Sequence, residues 1–399
     1  MLVKIPTPEW QSTCGDRVFV HFFSVRKPER AIGTVSFGDV SSNSLPTSSD
    51  RIVELDSLRG IAAIAVVVYH HGSHFDASPL LVLLGPLYRD GWRAVDFFFV
   101  LSGFVLARAY WKEERKDSFI RNLCDRIRRL YPLHFVTLLL VALGQWYLIS
   151  GLNRNAFVYQ SNDSVQFALN LVLIHGFDTS FNGPSWSIST EFMVNVLFFV
   201  IILLPRRLAL VTFAAAIALT FIPRGDELVA ITPLTRTLRG FCVGVLLYSL
   251  FVAIASRPRT WVRHAADVVF IVALVCSIGY AYLVETYPQL SGGITLMLHC
   301  LLIISAPMSS LAKWSLRRKP LAYLGEISYS VYLVHFPLQL ILWLAFVTLG
   351  LTWPFGELFG LLPFIALTIG CAALSYRYIE LPGKRLLRLS RKDPVQAPA

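Results

Sequence analysis

Long apolar runs constrain this chain more than any other feature. Runs able to cross a hydrocarbon core begin near Leu58, Trp92, Tyr131, Ser185, Leu208, Thr237, Ala265, Ile294, Ile327 and Phe355, ten in all. A core about 30 Å thick takes about 20 helical residues. The spacing therefore predicts an all-α integral membrane protein, a bundle of about ten transmembrane helices. Composition agrees: 55% hydrophobic and 15% charged residues, with a mean hydropathy of +0.58, exclude a soluble globular core, a disordered chain and a collagen-like one. An eleventh apolar segment, Ser164 to Gly176, is about 13 residues long. That length suits a re-entrant or interfacial segment better than a span.

Basic residues orient the bundle. With ten spans and the N-terminus inside, the segments Trp111 to Leu130, Pro205 to Arg207, Ser256 to His264, Lys313 to Pro320 and the tail from Arg377 hold 22 Lys and Arg. The opposite loops hold Arg89, Arg154, Arg224 and Arg236. This asymmetry follows the positive-inside rule and places both termini in the cytoplasm. Counting Ser164 to Gly176 as a span would send four of the basic loops outside, so that segment is read as non-spanning.

Three regions follow. Residues 1–50 contain no apolar stretch leading to a cleavage site, so they read as a poorly ordered cytoplasmic extension rather than a signal peptide. Residues 51–382 form the membrane domain, and residues 383–399 form a short basic cytoplasmic tail. With no soluble catalytic domain expected at either end, chemistry is expected within or at the edge of the bundle. The cysteines, at 14, 124, 242, 276, 300 and 371, are scattered, with no CxxC pair and no metal-ligand spacing. No metal and no nucleic acid is implied as a partner. No repeat of 20 to 50 residues is visible, which weakens a transporter reading.

An ionisable side chain at mid-membrane costs roughly 2.5 to 3.5 kcal/mol on insertion scales, so those present are the candidates for function. Arg59 and His70 lie eleven residues apart in the first run, about three helical turns and about 16 Å. They share a face. A fixed cation with an imidazole deeper on the same face suits an anionic cytosolic ligand whose reactive end reaches a general base. The bland alternative is a snorkelling Arg59 and a His70 that caps the span.

In the second run, Ser102 and Gly103 suit close helix packing. The following segment is dense in cations, from Arg108, Lys112, Arg115 and Lys116 to Arg121, Arg126, Arg128 and Arg129. Such a surface sets topology and attracts anionic lipid, or it receives a phosphate-rich cofactor, with Arg126 and Arg129 best placed for the second role. Glu191 closes Trp186-Ser187-Ile188-Ser189-Thr190-Glu191. It needs a partner, for which His70, Arg236 and Arg239 are candidates, and a purely structural ion pair is the alternative. Tyr332 and His335 share a face in the ninth run, where Tyr329 and Tyr332 also fit as aromatic lining. His74, His175 and His299 read as isolated, with no role.

Taken in order, these segments resemble the acyltransferase-3 family, integral-membrane acyltransferases that decorate bacterial surface glycans and some secondary metabolites. The resemblance runs from about Glu54 to about Pro382. It rests on Arg59 to His70 within LDSLRGIAAIAVVVYH, FFVLSGF (Phe98 to Phe104), RIRRLYP (Arg126 to Pro132), WSISTE (Trp186 to Glu191), SYSVYLVHFP (Ser328 to Pro337) and Glu380-Leu-Pro382. It implies transfer of an acyl group, often acetyl, from cytosolic acyl-coenzyme A to a sugar hydroxyl of a surface polysaccharide or glycolipid at the bacterial plasma membrane. The family's essential arginine and histidine map onto Arg59 and His70. Arg236, in RTLRGFCVG, matches the arginine of a looser family pattern. Ser57 stands where the family often has glycine, a change expected to be tolerated. Because no appended esterase-like domain is expected here, direct transfer or a polysaccharide-assembly partner is implied.

Under this reading acyl-coenzyme A is a substrate and no cofactor is bound permanently. Arg59, Arg126 and Arg129 meet its phosphates, and His70 takes the proton of the attacking hydroxyl. Glu191 orients the His70 ring or stabilises its charged form. Ser102, Ser187 and Tyr332 are candidate oxyanion donors, and Trp186, Arg236 and His335 are candidate substrate contacts. The rival class is a transporter or flippase that uses Arg59, His70 and Glu191 as a proton or substrate pathway.

Overall fold

The computed structural model describes residues 51–75, 77–111, 119–153, 163–176, 180–221, 233–257, 259–283, 291–351 and 358–386. The expected N-terminal extension, Lys112, Arg115, Lys116, Arg154, Arg224 and the tail beyond residue 386 lie outside them. All regular structure among the described residues is helical. The helices are α1 Val53–Phe75, α2 Leu81–Asp90, α3 Ala94–Tyr110, α4 Phe119–Trp146, α5 Ser164–Leu171, α6 Trp186–Ile201, α7 Arg206–Leu219 and α8 Pro233–Ala255. They continue with α9 Arg259–Leu283, α10 Ser291–Ser305, α11 Ser310–Leu316, α12 Lys319–Glu326, α13 Ser328–Leu349, α14 Leu358–Ser375 and α15 Leu381–Leu386.

A helix lies at each of the ten expected positions, yet six helical segments are long and apolar enough on their own to cross a membrane. These are Phe119–Gly151, Gly183–Ile201, Pro233–Ala255, Thr260–Tyr280, Ser328–Leu349 and Gly360–Arg385. A seventh is added if α10 and α11, bent by 91°, form one broken span. The shortfall from ten has local causes. Helix α3 has 17 residues and α7 has 14, and the first turns of α1 carry Glu54, Asp56 and Arg59. The chain is a multi-span helical membrane protein.

Two close helix contacts build the frame. In α3 and α8, a side chain on Gly103 would collide with the Phe241 carbonyl, and one on Gly244 with the Val100 carbonyl. The two backbones touch, and only glycine permits it. Of the small pair expected to pack, Gly103 does so, whereas the Ser102 hydroxyl turns away to donate to Glu191 at 2.7 Å. The second contact joins α1 to α12, where Gly60 and Gly325 face each other's helices. This contact carries the Gly325 carbonyl to Arg59. Ser57, where the resembled family favours glycine, uses its hydroxyl to donate to the buried Leu316 carbonyl at 2.7 Å.

The segment before α6 enters the interior. Helix α5 has eight residues, too few to span, and is capped by Asp163, which accepts from the Gln166 amide at 2.7 Å. The chain then turns inward, and every residue from Ser180 to Thr190 is buried. Buried backbone needs partners. Asn170 Oδ1 accepts from the Phe181 amide at 3.1 Å, Asn182 Nδ2 donates to the Leu333 carbonyl at 3.0 Å, and His134 Nε2 donates to the Asn170 carbonyl at 2.9 Å. Helix α6 thus begins inside the bundle and not at its surface.

Candidate active site

Arg59 is held by three groups. Its Nε donates to Ser328 Oγ at 2.7 Å, its Nη2 donates to the Gly325 carbonyl at 2.7 Å, and Asp56, one turn earlier, lies 3.1 Å away. The guanidinium is pinned to the junction of α12 and α13 rather than snorkelling to a surface.

Opposite it, α4 presents Arg126 and Arg129 one turn apart. Arg126 Nη2 donates to Glu191 Oε1 at 2.6 Å, the same oxygen that accepts from Ser102. Sequence reasoning offered His70, Arg236 or Arg239 as the partner of Glu191, and the structure corrects this to Arg126. The cause is the early, interior start of α6, which turns its second turn toward α4. Arg236 is engaged elsewhere: it donates to Asp96 Oδ1 at 2.5 Å and to the Trp92 carbonyl at 3.1 Å, and it stacks on the Trp92 ring at 4.4 Å and the Trp186 ring at 5.7 Å. Arg239 donates to the hydroxyl and carbonyl of Thr220. Glu191 therefore does not touch His70, and the expected role of orienting that ring is not supported.

Arg59, Arg126, Arg129, Ser102, Ser187, Glu191 and Tyr332 line one cavity of about 90 Å³. Three guanidinium groups face it against one carboxylate. Among the described residues Arg129 has no hydrogen-bond or ion-pair partner, and the buried Nε of Arg126 has none either. Unfilled guanidinium donors in a recess are suited to the oxygens of phosphate or carboxylate. At the inner end, the Tyr332 hydroxyl lies 2.7 Å from Ser187 Oγ and 3.1 Å from the Pro184 carbonyl. The Tyr332 ring packs against Phe98 and, with centroids 6.1 Å apart, against His335.

Behind Tyr332 stand the histidines. Neither His70 nor His335 lines the cavity, and they meet each other, with His335 Nε2 3.0 Å from His70 Nδ1. His74, which the sequence leaves without a role, packs at a tilt against His70 with centroids 4.9 Å apart and bonds through Nδ1 to Gln339 Oε1 at 3.0 Å. Its signal was available, since His70 and His74 are four apart on one helical face. His175 is likewise not isolated; it stacks on His134 and bonds to Ser185. The candidate residues thus fall into an arginine-lined cavity, a histidine cluster beyond Tyr332, and a separate group of Arg236 and Trp186 with Asp96 and Trp92.

A family model described as an acyltransferase domain matches residues 52–377. The chain belongs to the acyltransferase-3 family. Its relatives include BcsY of Komagataeibacter xylinus, 27% identical over 72% of this chain and 73% of that protein. The acyltransferase MdmB of Streptomyces mycarofaciens is 28% identical over 73% of this chain and 80% of its own length. The peptidoglycan O-acetyltransferase OatA of Listeria monocytogenes is 26% identical over 84% of this chain, which spans 56% of that longer relative. No solved structure gives a significant match. Family membership makes this chain a membrane acyltransferase.

Proposed function

We propose that this acyltransferase moves an acyl group, acetyl as in its O-acetyltransferase relatives, from acyl-coenzyme A to a sugar hydroxyl of a surface polysaccharide or glycolipid. It works in the bacterial plasma membrane with both termini cytoplasmic, alone or beside polysaccharide-assembly proteins. One observation carries the reading: a cavity with three guanidinium groups, two of them with unfilled donors, ends one aromatic ring short of a paired histidine. A coenzyme A thioester has that polarity, with phosphates at one end and a reactive carbonyl at the other.

In this reading Arg59, Arg126 and Arg129 bind the phosphates. The acceptor hydroxyl attacks the thioester carbon while His70 removes its proton, help typically worth about 10² to 10⁴ in rate. The carbon–sulfur bond then breaks, and the proton held by the imidazole goes to the departing thiolate. Ser187 and Tyr332, hydroxyls at the inner end of the cavity, are the candidate oxyanion donors, whereas the Ser102 hydrogen is committed to Glu191. Arg236, held by Asp96 and the Trp92 carbonyl beside the Trp186 ring, is the candidate contact for the sugar.

The test is mass spectrometry of surface glycans from matched cells with the gene, without it, and with His70→Ala, alongside thioester consumption by the purified protein. An acyl-sized mass difference lost in both defective strains is expected. Identical glycans in all three, with the protein inserted and no thioester consumed, would refute the proposal.

A further inference from the structure

His335 is fully buried, and its hydrogen bonds have a fixed sense. Its Nδ1 lies 3.2 Å from the carbonyl oxygen of Val331, one turn back on α13. A carbonyl has no hydrogen to give, so Nδ1 of His335 carries the hydrogen. The groups that face His335 are the His70 ring on α1, with His74 beyond it, and Tyr332 on its own helix. No carboxylate is paired with either His70 or His335 among the described residues. A second proton would bury an uncompensated cation. His335 is therefore neutral, and its Nε2 offers a lone pair.

That lone pair points at His70. The two rings are 26° from coplanar with centroids 5.0 Å apart, just under the 3.0 Å between nitrogens plus a ring radius on each side, the separation of a nearly collinear pair. They meet edge to edge, as a nitrogen-to-nitrogen hydrogen bond requires. One hydrogen lies between them, and His335 Nε2 is the acceptor, so Nδ1 of His70 is the donor. The Val66 carbonyl, one turn back on α1, is a further backbone acceptor for the His70 ring and favours the same tautomer, and no hydrogen bond to Nε2 is found among the described residues.

We infer that His335 is a positioning residue: the Val331 carbonyl sets its tautomer, and through it the hydrogen of His70 is held on Nδ1 so that Nε2 is the basic nitrogen. The inference rests on the reading of His70 as the general base and assigns which atom does the work. An unconstrained neutral imidazole places its lone pair on either nitrogen, and a fixed neighbour removes that ambiguity. In serine hydrolases a buried carboxylate does this. Here a second imidazole does it, backed by a backbone carbonyl. When Nε2 takes the hydroxyl proton, the Nδ1 hydrogen bond becomes charge-assisted and strengthens. His335 thus contacts no substrate, in place of the substrate or oxyanion role considered from sequence.

Two measurements decide it. Solid-state NMR of nitrogen-15 histidine-labelled protein in bilayers, with His70 assigned by its loss in His70→Asn, should show a protonated Nδ1 and a bare Nε2. A His70 protonated at Nε2 overturns the inference. In turnover assays with acetyl-coenzyme A, His335→Gln keeps an acceptor oxygen within reach of His70 and should hold kcat within about tenfold. His335→Leu keeps the volume without the acceptor, and its kcat should fall by about 10² or more, toward the full value of a general base, with an unchanged KM for the donor. Equal turnover in the Leu and Gln variants would overturn the relay. Transfer that survives His70→Asn would instead remove the general-base reading while leaving the tautomer result standing, so the two failures are distinguishable.

Discussion

Arg129→Gln isolates binding from structure. Arg129 makes no hydrogen bond or ion pair among the described residues, so the native fold loses nothing when the guanidinium goes, and the melting temperature should match the parent. Under the proposed function, what is lost is a charge-assisted contact with the donor's phosphate, worth about 1.5 to 3 kcal/mol. At 1.4 kcal/mol per factor of ten this is about 10- to 150-fold in donor affinity. The loss is uniform between ground and transition states, so KM for acetyl-coenzyme A should rise by that factor with kcat within a few-fold of the parent. Raising salt should narrow the gap between parent and variant, because the contact is electrostatic. Arg126→Gln is the contrasting control. It leaves Glu191 in the interior with Ser102 as its remaining partner, and breaking a buried pair costs about 3 to 5 kcal/mol. That variant should lose both affinity and thermal stability. An Arg129→Gln protein with the parent's KM would refute the assignment of the cavity to the donor's phosphates.

Other perturbations test other parts of the structure. His70→Ala should leave insertion intact, cost about 1 to 3 kcal/mol of stability because the buried His335 loses its partner, and lower transfer by about 10² to 10⁴, measured as acyl groups per glycan. Gly103→Ala places a methyl group on the Phe241 carbonyl, and separating α3 from α8 should cost about 1 to 3 kcal/mol in a denaturation series. Ser57→Gly removes the hydrogen bond to Leu316 and should cost about 0.5 to 1.5 kcal/mol with activity unchanged, as thermal shift and turnover would show. Arg236→Lys keeps a charge for Asp96 but loses the flat stack on Trp92. It should raise KM for the acceptor and leave KM for the donor alone.

The site was legible in parts. The first helix announced Arg59 and His70 by an eleven-residue interval on one face, and α4 announced Arg126 and Arg129 by a one-turn interval. Glu191 is recognisable as an intramembrane carboxylate that needs a partner, but nothing local points to Arg126. Depth within the bundle depends on where α6 starts, and the inward turn of residues 180–185 is set by Asn170, Asn182 and His134, none of which marks a helix start by local pattern. The Ser102–Gly103 pair divides in the same way. The glycine's close approach follows from its size, while the serine's hydrogen bond depends on a helix far along the chain.

Sequence alone determined that this chain is a helical membrane protein of the acyltransferase-3 family with a concentrated set of buried polar residues. Hydrophobic length, helical spacing and charge bias are local quantities, and each is complete within one segment. Tertiary structure decided how those residues pair: Arg59 with Ser328, 269 residues away, Arg126 with Glu191, 65 away, and His70 with His335, 265 away. A hydrogen bond depends on the approach and direction of two atoms to within tenths of an ångström. Only the packed bundle sets that relation.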